Sequence, residues 1–192
     1  MAVTLIEDIP EPVTLDEVKA QCRVSSLTED TLMTSLIKAA RSYVEELCGP
    51  LITQQWEEYF DNWPSGDTIY LSKQRLQSVD YITYTDEDEV VNTLSATDYT
   101  VDTKDSYRPR IVLKEDSSWP TDSLFNVNPI IVRFVCGYGD ATTDVPEPIR
   151  LAILMLIAHW FENREATIVG QTVITVPYAV DCLLANYRQW GF

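Results

Sequence analysis

Residues 146–166 read PEPIRLAILMLIAHWFENREA, and this stretch decides the class of fold. Ile149, Ala152, Ile153, Leu156, Ile157, Trp160 and Phe161 recur at the three- and four-residue spacing of a single helix face. Leu151, Leu154 and Met155 widen that face until most of the circumference is apolar, the pattern of a helix packed centrally. Ile153, Ile157, Trp160 and Phe161 are its expected core contacts. Pro146 and Pro148 fall in or beside the first turn, where a missing N–H costs little, and Asp144 or Thr143 is placed to cap it. Glu162-Asn-Arg-Glu165 ends the run in polar residues. The apolar stretch Leu151 to Phe161 falls far short of the ~20 residues a membrane span requires.

Working outward from this helix, the N-terminal side holds two more. Thr14-Leu-Asp-Glu17 fits a capping box, followed by Leu15, Val18 and Cys22 on one face. A second helix starts at a Thr28 cap with Glu29 and Asp30 in its positive first turn. Leu32, Leu36, Ala40, Tyr43 and Leu47 form its stripe, flanked by Met33, Ile37 and Val44, and Gly49-Pro50 stops it. On the C-terminal side, Tyr178 to Gln189 reads as a short last helix with Val180, Leu183, Leu184 and Tyr187 on one side.

Between the second and third helices the period changes. Leu51–Asp61, Thr68–Leu71, Val79–Thr85, Val90–Leu94, Tyr99–Asp102, Arg110–Lys114 and Ile130–Cys136 are short β-branched and aromatic runs separated by turn residues. They predict a small antiparallel sheet or a sandwich. Within 79–85, Val79, Tyr81, Thr83 and Thr85 alternate against Asp80, Ile82 and Tyr84, and Asp86, Glu87, Asp88 and Glu89 form an acidic hairpin tip. The expected fold class is therefore α+β, a four-helix core with a small antiparallel β-subdomain inserted between helix 2 and helix 3. Residues 1–50 would supply the N-terminal helices, 51–139 the insertion, and 140–192 the C-terminal helices and tail.

The chain has 192 residues, 45% of them hydrophobic, enough for a true core. Fourteen Lys and Arg face 30 Asp and Glu, a formal net charge of −16. Such a surface repels nucleic acid and gains nothing from anionic lipid. The first ten residues carry acids and no basic stretch, unlike a secretory signal. A soluble protein made in a cytoplasm is the expectation, with no membrane partner.

Reactive chemistry is sparse. His159 is the sole histidine and lies in the apolar helix, where a packed imidazole is a better reading than one member of a triad. Cys22, Cys48, Cys136 and Cys182 are scattered among apolar neighbours and form no CxxC, which favours reduced, buried thiols over a metal site. Gly137-Tyr-Gly139 matches no phosphate-binding loop, and no basic stripe with interleaved aromatics is evident. The reading is of a non-enzyme without cofactor or metal. The aromatic end, Tyr187, Arg188, Trp190 and Phe192, would waste apolar area unless it packed on something, and a partner protein is the favoured acceptor.

Ordered fragments carry a resemblance. They are TLDEV (14–18), LIKAARSYVE (36–45) leading to Cys48-Gly49, LITQQW (51–56), LQSV (76–79) and Asp98-Tyr99. RFVCGYG (133–139), VPEPIR (145–150), AHWFENRE (158–165), PYAVD (177–181) and LANYR (184–188) follow in order. Together they resemble the head–tail connector, or head-completion adaptor, family of tailed bacteriophages and prophages over nearly the whole chain.

The resemblance implies a homo-oligomeric ring in the virion neck, commonly a dodecamer. Such a ring sits between the portal protein and a tail-side stopper or tail terminator, and packaged DNA passes through it without sequence recognition. It implies that the C-terminal segment docks on the portal, and it carries no catalytic residues. Asp86 to Glu89 would then touch a neighbouring subunit or stay in solvent. An acidic interaction protein, chaperone or DNA mimic acting outside the particle is the alternative that composition alone leaves open.

Overall fold

The computed structural model describes residues 2–5, 10–164 and 178–189. It is a mixed α and β structure with four α-helices and antiparallel sheets, and it divides into two compact units. One unit comprises residues 1–9 and 53–138, the other 10–52 and 139–192.

The first unit is built on β8 (Ile130–Cys136), whose even-numbered residues Ile130, Val132, Phe134 and Cys136 are all buried. It is central in a five-stranded antiparallel sheet. β1 (Ala2–Leu5), β2 (Gln54–Phe60), β8, β4 (Leu76–Thr85) and β5 (Val91–Thr93) lie side by side in that order. A three-stranded sheet of β3 (Thr68–Tyr70), β7 (Arg110–Leu113) and β6 (Tyr99–Asp102) supplies Ile69, Ile111 and Tyr99 to the same core as Ile82 and Phe134. Of the two arrangements the sequence allows, the sandwich is the one adopted. Burying a ring such as Phe134 is worth roughly 2–3 kcal/mol.

Details differ from simple alternation. β4 carries register irregularities between Leu76 and Ser78 and between Val79 and Tyr81. The second shifts the phase, so Val79 packs on the core together with Ile82 and Tyr84 instead of opposing them. A bulge does this by placing two residues against one on the partner strand. β1 was not foreseen. It gains its ladder from β2, which lies some fifty residues away in the chain.

In the second unit, α3 (Glu147–Glu162) packs against α1 (Leu15–Cys22), α2 (Asp30–Cys48) and α4 (Tyr178–Leu184). Ile149, Ala152, Ile153, Leu156 and Ile157 are fully buried, while Trp160 and Phe161 are half-buried. Trp160 meets Tyr43 edge to face at 6.3 Å, and Arg164 lies over Phe161 at 4.6 Å. The helix ends at Glu162; of the expected extension, Glu165 and Ala166 lie outside the described residues. So does the expected link from Ile168 to Pro177.

Helix ends show which local signals are real. The capping box at α1 forms: the Glu17 amide donates to Thr14 Oγ1 (3.3 Å), and the Thr14 amide donates to Glu17 Oε2 (2.7 Å). Thr28 does not cap α2. Its hydroxyl pairs with Ser26 (2.8 Å), and Glu29 takes the cap position without a side-chain bond. Nor does Asp144 or Thr143 cap α3. Asp144 accepts the Ala141 amide (2.9 Å) across its own 3-10 turn, and Pro146 precedes α3.

The buried stripe of α2 is Met33, Ile37, Ala40, Val44 and Cys48, one position on from the expected line, with Leu32, Leu36, Tyr43 and Leu47 at its margin. Arg150 fastens α3 to the start of the unit. Nine-tenths buried, it donates to the Pro12 carbonyl (3.2 Å), to Glu147 (2.6 Å) and to Glu17.

Candidate functional site

His159 sits half-buried in the last turn of α3. Its Nδ1 lies 3.5 Å from the Asn163 side-chain amide, which donates to the His159 carbonyl at 2.8 Å. This contact finishes a helix. A triad would instead place a nucleophile and a carboxylate on the two ring nitrogens.

The thiols are less uniform than expected. Cys48 and Cys136 are buried and Cys22 is half-buried, its thiol pushed up by burial and by the charge of Glu162. Cys182 is exposed, because Val180 and Leu184 take the inward face of α4 and turn position 182 away. Among the described residues no group of three or more His, Cys, Asp or Glu could hold a metal ion. An open hollow of about 410 Å³ is lined by Tyr84, Leu94, Asp98, Trp119 and Asp122 among others, with no histidine, cysteine or lysine in its wall. The structure thus offers surfaces, and three of them bear on the sequence reading.

The first is the C-terminal strap. After α4 a turn brings Arg188 onto Asp181 (2.6 Å), and the Gln189 amide donates to the Leu47 carbonyl at the end of α2 (2.8 Å). Tyr187 and Arg188 are half-buried and held by their own unit. Trp190 and Phe192, the other two residues expected to dock, lie outside the described residues.

The second surface is the tip between β4 and β5. Its four acids are not equivalent. Asp86 is half-buried and turned inward, its Oδ1 accepting the Asp88 (3.1 Å) and Val90 (2.9 Å) amides and its Oδ2 the Asn92 side chain (3.0 Å). Glu87, Asp88 and Glu89 are exposed, and Glu89 has a left-handed φ of 62°. Beside them the Phe125 amide bonds the Thr85 carbonyl (3.0 Å) and the Glu87 amide bonds Ser123 (2.9 Å). Segment 123–125 thus flanks the end of β4, and Phe125, Val127, Val90 and Val91 are all exposed, Val91 at 65% and Val127 at 63%.

The third was missed from sequence. The Leu71 amide bonds the Pro109 carbonyl and the Arg75 amide bonds Ser106, both at 3.0 Å, which zips loop 72–75 to loop 103–109. Arg108 lies 5.0 Å over Tyr70, Arg110 pairs with Asp102 at 2.9 Å, and Lys104 and Tyr107 are exposed. Lys73, Arg75, Lys104, Arg108 and Arg110 are five of the chain's fourteen cations. With Asp102 and Asp105 set among them, a small basic excess beside aromatic rings remains, although no contiguous stripe announces it. The readable signal was the clustering of those five cations in two short segments. Strand β4 separates the two surfaces: Arg75 immediately precedes it and Asp86 immediately follows it. Ten residues at roughly 3.3 Å each put the basic loops and the acidic tip about 30 Å apart.

A family model described as head completion protein matches residues 11–190. No curated protein sequence matches the chain. Three solved assemblies contain chains similar to the whole of this one, each 97% covered. A chain from the neck of an empty GTA particle computed with C6 symmetry has a TM-score of 0.82 at 20% identity. One from the virion of a native gene transfer agent particle has 0.80 at 18%. One from the neck of a native GTA particle computed with C12 symmetry has 0.75 at 19%. At these identities the likeness is one of fold.

Proposed function

The chain belongs to the head completion protein family, a structural and non-enzymatic assignment, and from that premise we propose that it forms a homo-oligomeric ring in the neck of a tailed phage or phage-like particle. The ring lies between the portal protein and a stopper or tail terminator and extends the channel through which DNA passes. The observation that carries this reading is the agreement of family and fold over nearly the whole chain, with the similar chains coming from necks computed with C6 and C12 symmetry. A twelve-subunit ring fits both symmetries. The net charge of −16 suits a channel wall along which a duplex slides without adhering. The alternative of a free acidic chaperone or DNA mimic has no observation of its own in its favour.

Portal attachment is assigned to the C-terminal end. Arg188 and Gln189 are engaged within their own unit, so the portal contact falls to Trp190 and Phe192. This narrows the test. Deleting residues 190–192 abolishes capture by immobilised portal protein while leaving the circular dichroism melt unchanged. Full capture of the truncated chain would reject the anchoring role.

A further inference from the structure

The β unit is electrically polar along β4. Its basic end holds Lys104, Arg108 and Arg110, in excess over Asp102 and Asp105 there, with the exposed rings of Tyr70 and Tyr107, the last 55% exposed. Its other end holds Glu87, Asp88 and Glu89, followed by the exposed Val90 and Val91, with the exposed Phe125 bonded through its amide to Thr85. Each end combines charge with apolar area, and the charges are opposite. We propose that the acidic, apolar tip of one protomer docks on the basic, aromatic loops of a second copy of this chain, so that successive β units join head to tail around the ring.

The proposal rests on the ring reading above and identifies which surfaces close it. A ring protomer uses two different faces, one for each neighbour, and rotation closes the set. Two copies facing each other through the same end would set tip against tip or patch against patch, juxtaposing like charges. Only the unlike pairing satisfies both ends at once. The valines and Phe125 would meet the tyrosine rings, while Glu87 and Asp88 would meet Lys104 and Arg108. DNA phosphate is the other chemistry the basic loops could take. It would leave the apolar tip without an occupant, and a chain of net charge −16 is repelled from the duplex.

Charge exchange tests this in assembled particles. Glu87→Lys with Asp88→Lys reverses the tip, and Lys104→Glu with Arg108→Glu reverses the loops. Copies per neck are counted by native mass spectrometry or imaging, and melts of the purified chains monitor the fold. Either reversal alone should lower ring incorporation about tenfold. The chain carrying all four substitutions should restore it, because tip and loops have then exchanged sign, and that restoration cannot come from a misfolded protein. Unchanged incorporation of the single reversals overturns the docking, as does a four-substituted chain no better than either reversal. A defect confined to the loop reversal also overturns it, and points to DNA. A single copy per neck in wild-type particles would instead overturn the ring itself, whatever the variants do.

Discussion

Glu58 shows what a residue can hide from its sequence. It lies in β2, a strand whose run Glu57-Glu58 reads as polar, yet it is fully buried. The Ser72 amide (2.9 Å) and hydroxyl (3.2 Å) both donate to Oε2, while Oε1 has no donor. Burial pushes its carboxyl up, outweighing the Ser72 bonds and the nearby Lys73 charge. A carboxyl raised in the folded state contributes stability below its unfolded pKa of about 4.3 and loses it as pH rises through the folded value. Glu58→Gln keeps an acceptor for Ser72 and removes the charge. The variant should therefore be more stable than wild type at pH 7, by about 1–3 kcal/mol, the cost of a buried polar group lacking its partner. The advantage should vanish near pH 4, where the native carboxyl is itself neutral. Urea unfolding of both chains from pH 4 to 8 measures the difference, and a variant less stable at pH 7 than at pH 4 relative to wild type would refute it. Glu17 is the opposite case. The Thr14 amide, above all, holds its carboxyl below the usual range, and that contact was readable because its partners lie three residues apart. Arg150, whose partner Glu17 is distant in sequence, was not.

At the scale of elements, periodicity located the four α-helices among the described residues, and tertiary contacts set their faces. α3 is apolar almost all round, yet its spacing put Ile153 on the main face and Leu151 at the margin. The structure agrees: Ile153 is fully buried, whereas Leu151 is 45% exposed. Ile153→Ala should cost about 3 kcal/mol through lost transfer energy and the cavity left behind. Leu151→Ala should stay within about 0.5 kcal/mol, as surface changes do. Chemical denaturation with an unchanged m value checks both, and equal losses would mean that the exposed side of α3 is covered. The one-position offset of the α2 stripe arises because alternate lines of apolar residues on one helix are equally periodic. Strands were legible where side chains alternate, as in β8, and failed where a bulge changed phase in β4 or the partner strand lay far off in the chain, as for β1. The acidic tip was visible as a turn. Its division into an inward Asp86 and an outward Glu87, Asp88 and Glu89 was not, because that depends on which amides the turn presents.

For the whole molecule, connectivity makes the two units unequal. The β unit draws all its strands but β1 from the continuous segment 53–138, whereas the helical unit is assembled from 10–52 and 139–192. Gln54 and Cys136 are ladder partners across β2 and β8, so a folded β unit holds the ends of that segment about 5 Å apart. Unfolding it would leave the helical unit closing a loop the length of 53–138. Three-halves RT ln n puts that closure at about 4 kcal/mol, a large part of a typical domain's stability. The cycle makes this coupling reciprocal. Phe134→Ala, a loss of about 3–5 kcal/mol in the β core, should lower the midpoints of both units. Ile153→Ala should lower the helical midpoint most and the β midpoint by less. Ellipticity at the helix wavelength follows one unit, and the stacked Trp63–Trp119 pair, 4.9 Å between centroids, gives near-ultraviolet dichroism for the other. If Ile153→Ala moved the tryptophan signal as far as the helical one, the chain would unfold as a single cooperative body. If Phe134→Ala left the helices untouched, loop closure would not be what links the units.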